Sequence, residues 1–128
     1  MNLNQVTLPA VDMVASTAFY RRMGFLQIVD TPHYARFECP EGDATFSLHL
    51  AEAAAGDVSV YFEHEALDEL VDRLEQIGFA FDESPEDRRW LWREARLRDP
   101  AGNRIILYHG GENRRHPPWR VERREAAI

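Results

Sequence analysis

Apolar residues recur along this chain with two periods, and the switches between them divide it into short elements. Gln5 to Val11 reads as a strand, and Asp12 is a good N-cap for a helix whose apolar stripe is Ala15, Phe19 and Met23. Gly24 supplies the left-handed conformation that stops such a helix, and Phe25 to Val29 resumes in extended form. His33 to Cys39 predicts another strand, Pro40-Glu41-Gly42-Asp43 a reversal, and Thr45 to Ala51 a strand in which Phe46, Leu48 and Leu50 alternate with Ser47 and His49.

After the small-residue link Ala53-Ala54-Ala55-Gly56 the same order starts again. Val58 to Glu63 predicts a strand. Ala66 to Ile77 predicts a helix with Leu67, Leu70, Val71, Leu74 and Ile77 on one face, acidic Asp68 and Glu69 in its first turn, and Gly78 as its stop. Phe79 to Asp82 is expected to resume as a strand, followed by a polar loop through Pro85 to Trp90 and Trp92. Arg93 to Asp99, the turn Pro100-Ala101-Gly102-Asn103 and Arg104 to His109 complete the series. Two segments echo each other closely. Met23-Gly24-Phe25 matches Ile77-Gly78-Phe79, and Ala35-Arg36-Phe37-Glu38-Cys39-Pro40-Glu41-Gly42 matches Ala95-Arg96-Leu97-Arg98-Asp99-Pro100-Ala101-Gly102.

The chain therefore reads as a duplicated strand-helix-strand-strand-strand unit. Neither copy is large enough to bury its own sheet face, so the two should join into an α+β fold: a curved eight-stranded mixed sheet with helices outside and a concave pocket. The expected division is a single domain over residues 1–111, with copies at about 3–52 and 57–110, and an extended C-terminal arm over 112–128. At 128 residues such a domain hides roughly two thirds of its unfolded surface, enough for a self-sufficient core.

Composition narrows the chemistry. The balance of 45% hydrophobic and 29% charged residues is that of an ordinary globular protein, and no run approaches the ~20 apolar residues of a membrane span. Met1-Asn2-Leu3-Asn4 lacks the grammar of a secretion signal, so a cytoplasmic location is the expectation. All 15 basic residues are Arg, which excludes lysine Schiff-base chemistry, and a net charge of -7 argues against nucleic acid as a partner. Residues 112–128 hold five arginines against three glutamates, so the acidity is concentrated in the first 111 residues. Cys39 is the single cysteine and can form neither an intrachain disulfide nor a multi-cysteine zinc site. No serine lies in a Gly-x-Ser-x-Gly elbow, and no glycine-rich phosphate loop exists.

Three features carry a family likeness: Asp12 to Tyr20 with its Phe19-Tyr20 pair, the Gly24-Phe25 helix stop, and above all Arg98-Asp99-Pro100-Ala101-Gly102-Asn103-Arg104-Ile105-Ile106-Leu107-Tyr108. With them the chain, over roughly residues 3 to 110, resembles the vicinal oxygen chelate superfamily, which includes glyoxalase I, bleomycin-resistance proteins and extradiol dioxygenases. Members that do metal chemistry place ligands on the first and fourth strands of each copy, and the resemblance carries those positions to Gln5, His49, Ser59 and Ile106. Gln5 and His49 are acceptable metal donors, Ser59 is a poor one, and Ile106 is a hydrocarbon where relatives carry a glutamate. The resemblance also implies a small-molecule ligand and a homodimer, while charge and hydropathy argue against a nucleic-acid or membrane partner.

Strand parity adds the remaining candidates. If Leu48 and Leu50 face the helices, Ser47 and His49 face the cup, and the same rule places Tyr61 and Glu63 beside Ser59, and Glu94 and Arg96 opposite Ala95 and Leu97. A substitute metal trio of His49 with Glu63 or Glu94 stays open at this point. Arg96, with its echo Arg36, offers a planar fork for an anion, while Trp90, Trp92, Tyr61 and Tyr108 offer flat walls. Both tryptophans equally suit a core cover or a dimer contact. His64 is expected to cap the second helix, and His33, His109 and His116 to be solvent-exposed. Trp119 is an apolar residue in the arm that a second subunit or the pocket itself would cover.

Two functions follow. One is a metal-independent cup that binds or sequesters a small aromatic or anionic compound, in a resistance role. The alternative is a divalent-metal-dependent lyase, isomerase or dioxygenase with Gln5 and His49 as metal ligands and Glu63 as catalytic base. Binding is favoured and a metal is not, because a catalytic metal normally needs three protein ligands and the carried-over positions provide two.

Overall fold

The computed structural model describes residues 1–53 and 56–124, so Ala54 and Ala55 of the small-residue link and the end of the arm from Glu125 lie outside the described residues. The elements are β1 (Gln5–Ala10), α1 (Met13–Met23), β2 (Leu26–Asp30), β3 (Tyr34–Glu38), β4 (Thr45–Leu50), β5 (Ser59–Glu63), α2 (Leu67–Gln76), β6 (Glu83–Asp87), β7 (Arg93–Arg98), β8 (Arg104–His109) and a short α3 (Glu112–Arg115). The strand-helix-strand-strand-strand order occurs twice. Each set of strands hydrogen-bonds into a four-stranded mixed sheet, β1-β4-β3-β2 in the first module and β5-β8-β7-β6 in the second. The parallel pairs are β1 with β4 and β5 with β8, and α1 and α2 each pack on the sheet of their own module.

Local chemistry explains the helix ends. Asp12 Oδ1 accepts the Ala15 N–H at 3.0 Å, and Gly24 takes φ of 113° while its N–H returns to the last turn of α1. Ahead of α2, His64 Nδ1 accepts the N–H of Ala66, the N-cap residue, at 3.0 Å, but no side chain caps the first turn of the helix itself.

One expected strand moves. Phe79 to Asp82 is not a strand, and the edge strand β6 instead runs Glu83–Asp87 through the segment expected as a loop. Phe79 is drawn inward, edge-on to Phe19 at 5.1 Å with Arg22 over its ring, which takes its backbone out of the ladder. Pro85 is tolerated because β6 is an outer strand and its register slips between Glu83 and Glu86. The arm begins with the single turn of α3, and its described remainder, residues 116–124, forms neither helix nor strand.

Alternate strand residues build a single core shared by both modules. Leu8, Ala35, Phe37, Phe46 and Leu48 of the first sheet join Ala95, Leu97, Ile105 and Leu107 of the second. Phe62 closes the seam, with ring centroids 4.8 Å from Phe25 and 5.4 Å from Phe46. Each large side chain buried this way stabilises the fold by about 1.5–3 kcal/mol.

A polar stitch crosses the same seam. Tyr20 donates to Asp99 Oδ2 at 2.6 Å, Asp99 accepts from the Asn103 side chain at 2.7 Å, and Asn103 also donates to the Pro9 carbonyl at 2.8 Å. The aromatic pair at the end of α1 and the Asp-Pro-Ala-Gly-Asn turn thus meet as one structural device.

Candidate functional site

Since the apolar faces of both sheets meet in the common core, their polar faces turn away from it. On the second sheet that face carries Ser59, Tyr61 and Glu63 of β5 in register with Arg104, Ile106 and Tyr108 of β8, then Arg96 and Glu94 of β7. Ser59, which accepts from Arg104 at 3.2 Å, lies at one end of the row. The parity expected for these residues is the parity observed.

Tyr61, Trp92 and Tyr108 form one aromatic wall. Tyr61 meets Trp92 edge-on at 5.7 Å and Tyr108 edge-on at 5.4 Å, while Trp92 and Tyr108 lie 4.6 Å apart and tilted by 30°. The wall is braced from behind by the root of the arm. Trp92 Nε1 donates to the Asn113 carbonyl at 3.1 Å, and a Cβ on Gly110 would come within 3.0 Å of that indole nitrogen. Tyr61 remains 43% exposed, so the wall offers a free aromatic edge to solvent.

Glu63 secures the arm. Its Oε2 accepts the backbone N–H groups of Gly110 and Gly111, each at 2.9 Å, and His109 and Arg114 lie 3.8 and 3.9 Å from the carboxylate. Burial alone would push its pKa up; the Gly111 and Gly110 donors, helped by His109 and Arg114, outweigh that and hold it below the usual carboxyl value. A carboxylate so held is a weaker proton acceptor, and in this geometry Glu63, the expected catalytic base, holds the backbone of Gly110 and Gly111. Tyr108 moves the other way: burial first, and then the Glu63 charge, push its phenol up.

Glu94 is completely buried, accepting from Trp90 Nε1 at 2.6 Å and from Arg96 at 3.1 Å. Arg96 also pairs with Glu83 at 3.1 Å, and the hydrogen bond to Glu94 leads the effects that raise the pKa of its guanidinium. Trp90 is therefore committed to a buried carboxylate and stands apart from the aromatic wall. The hairpin that carries it includes Leu91 at φ of 71°, a strained conformation for a branched side chain. Ile106, 1% exposed, lies between Tyr61 and Arg96 in register and forms an apolar floor to the face.

The first sheet's polar face carries a hydrogen-bonded row. Buried Ser47 Oγ accepts from Gln5 Nε2 at 2.6 Å and shares a 2.6 Å hydrogen bond with the Tyr34 hydroxyl, which Arg36 approaches from the other side at 2.9 Å. The Ser47 hydrogen bond, with Arg36 adding to it against partial burial, pulls the Tyr34 pKa down. Gln5 also holds Thr45. His49 is exposed further along the same strand.

This arrangement does not fit the metal-ligand set that the resemblance suggests. Gln5 pairs in register with Thr45, whereas His49 pairs with Pro9, which places Gln5 and His49 roughly 13 Å apart at ~3.3 Å per strand residue. Gln5 moreover spends its amide on Ser47 and Thr45, and so does not lean along the strand toward His49. Ile106 has no donor atom, Glu94 is held by Trp90 and Arg96, and Glu63 Oε2 is held by the Gly110 and Gly111 N–H groups. Among the described residues, no three His, Cys, Asp or Glu side chains converge on a point, so the substitute trio with His49 is not assembled either.

Sequence reasoning missed Tyr34 and the Glu63–Gly110–Gly111 latch. Tyr34 had a readable signal, since it shares parity with Arg36. The latch had none, because it depends on where the backbone of Gly110 and Gly111 is placed.

The family model described as Glyoxalase/Bleomycin resistance protein/Dioxygenase superfamily matches residues 2–107. No curated protein matches the chain. Among solved structures, a bleomycin resistance determinant encoded on the transposon Tn5 is 21% identical with a TM-score of 0.72, covering 85% of this chain and 98% of that one. A bleomycin-binding protein complexed with bleomycin is 21% identical with a TM-score of 0.71, covering 87% and 100%. Lactoylglutathione lyase from Agrobacterium tumefaciens is 24% identical with a TM-score of 0.73, covering 85% and 93%. These likenesses establish the fold, and the match over residues 2–107 establishes that the chain belongs to the glyoxalase/bleomycin resistance protein/dioxygenase superfamily.

Proposed function

We propose that this protein captures a small aromatic compound without a metal, in the manner its bleomycin-binding relatives' names describe, rather than turning one over. The observation that carries this reading is the exposed edge of Tyr61 beside Trp92 and Tyr108, above a floor where Ile106 replaces a metal-binding carboxylate. A planar ligand gains area on such a wall, and Arg96 at its margin supplies a positive group for an anionic or carbonyl substituent. The metalloenzyme alternative requires Gln5 and His49 to share an ion, which their strand register opposes.

A homodimer completes the cup in this reading. Each chain turns its two polar faces outward from one core, so a second copy is the natural source of a facing wall, and the Tyr34–Ser47–Gln5 row of one chain would oppose the aromatic wall of another. Residues 1–111 act as the binding unit, and the arm braces Trp92.

Titration of intrinsic tryptophan fluorescence with bleomycin and with a naphthoate, each with and without EDTA, tests the proposal. Saturable quenching that ignores EDTA and disappears in Tyr61→Ala/Trp92→Ala supports it. Binding that appears only after addition of a divalent ion, or catalytic loss of a dicarbonyl adduct, overturns it.

A further inference from the structure

A concavity runs along the seam between the modules and reaches Tyr61 and Glu63 at the edge of the aromatic face. Its volume is about 720 Å³, within the range of small-molecule sites, and both modules line it. The end of α1 and the β3–β4 turn form one bank; β5, the turn after it and α2 form the other. The floor is apolar, built from Phe25, Phe62, Leu70 and Leu107. Phe62 and Leu107 belong to the core-facing side of their strands, opposite the face that carries Trp92, Arg96 and Ile106.

The rim decides what the groove prefers. Glu41, Glu63 and Glu65 stand on it against a single guanidinium, Arg73. Among the described residues Glu41 and Glu65 make no ion pair and no side-chain hydrogen bond, so both carboxylates are free to meet a ligand. His64 and His109 also line the groove, His64 accepting the Ala66 N–H and His109 lying 3.8 Å from Glu63. An anion entering here would meet the two unpaired carboxylates of Glu41 and Glu65 and a chain whose net charge is -7. A cation would meet those carboxylates above the apolar floor.

We propose that the groove between the modules is a second binding site, for a compact apolar body carrying one positive charge, adjoining the aromatic face at Tyr61. Cys39 makes the proposal directly measurable, because it lines the groove, is half-buried, and is the sole cysteine of the chain.

The experiment follows alkylation of Cys39 in the full chain with tetraphenylphosphonium and with tetraphenylborate, ions of nearly equal shape and opposite charge. Saturable protection by the phosphonium is expected, with a dissociation constant about tenfold below that of the borate, the ratio that ~1.4 kcal/mol of charge preference gives. Glu41→Gln/Glu65→Gln should erase most of that preference while leaving the circular dichroism spectrum and the cup's fluorescence titration unchanged. Equal protection by both ions, protection by neither, or alkylation that quickens on dilution without any ligand, as when a second copy covers the groove, overturns the proposal.

Discussion

Tyr20 reaches from α1 to donate its hydroxyl to Asp99 in the turn after β7, at 2.6 Å, and ties the first module to the second. Burial, and then the Asp99 charge, push the phenol far up, so the hydroxyl stays a donor throughout the working pH range. Tyr20→Phe leaves a buried carboxylate short of one partner and is expected to cost about 1–3 kcal/mol in urea denaturation. Combined with Asn103→Ala, the two losses should depart from additivity by about 0.5–3 kcal/mol, since both side chains serve the same carboxylate. Strict additivity would show that the stitch is two separate contacts.

Arg96→Met should destabilise far more than Arg36→Met. Arg96 neutralises the fully buried Glu94, and its removal strands that charge with Trp90 as sole side-chain partner, at a cost of about 3–5 kcal/mol. Arg36 is exposed, and its loss is expected to stay below about 1 kcal/mol. Adding Glu94→Gln to the Arg96 variant should recover part of the loss, which thermal unfolding of the three proteins would measure.

The Glu63 latch predicts an acid dependence. Its folded pKa lies below the ordinary value of 4.5, so the unfolded chain takes up that proton first as pH falls. The stability it contributes is complete above that value and is lost as pH drops through the lower folded one. Denaturation of the native chain and of Glu63→Gln between about pH 6 and about pH 3 should therefore give stabilities that converge on acidification. Parallel curves would remove the latch from the account.

Gly110→Ala tests the bracing of the aromatic wall. The added methyl would lie 3.0 Å from Trp92 Nε1 and 3.1 Å from the Tyr108 ring, so Trp92 must shift. A cost of about 1–3 kcal/mol and a changed near-ultraviolet dichroism signal are expected. An unchanged signal would mean the arm does not set the indole's position.

The fold was legible wherever alternation coincided with burial. Phe46 and Leu48 against Ser47, and Ala95 and Leu97 against Glu94 and Arg96, announced which way each strand faces, because facing depends only on a strand's own pleat. The strand before Trp90 was not legible, since the apolar Phe79 and Phe81 serve the seam while a charged, proline-bearing segment occupies the sheet edge. The candidate site was half legible for a related reason. The resemblance supplied Gln5 and parity turned His49 inward, but the separation of the two depends on how β1 slides against β4, which is a tertiary choice. The fate of Glu63 was settled by glycines far away in sequence.

The polar faces contribute little to the shared core that holds the two halves together. Residues such as Tyr61, Arg36 and His49 are accordingly free to drift through many substitutions before folding suffers. A scaffold of this kind lends itself to rapid change in what it recognises, since selection can revise the reading surface while the keel of the molecule stays put.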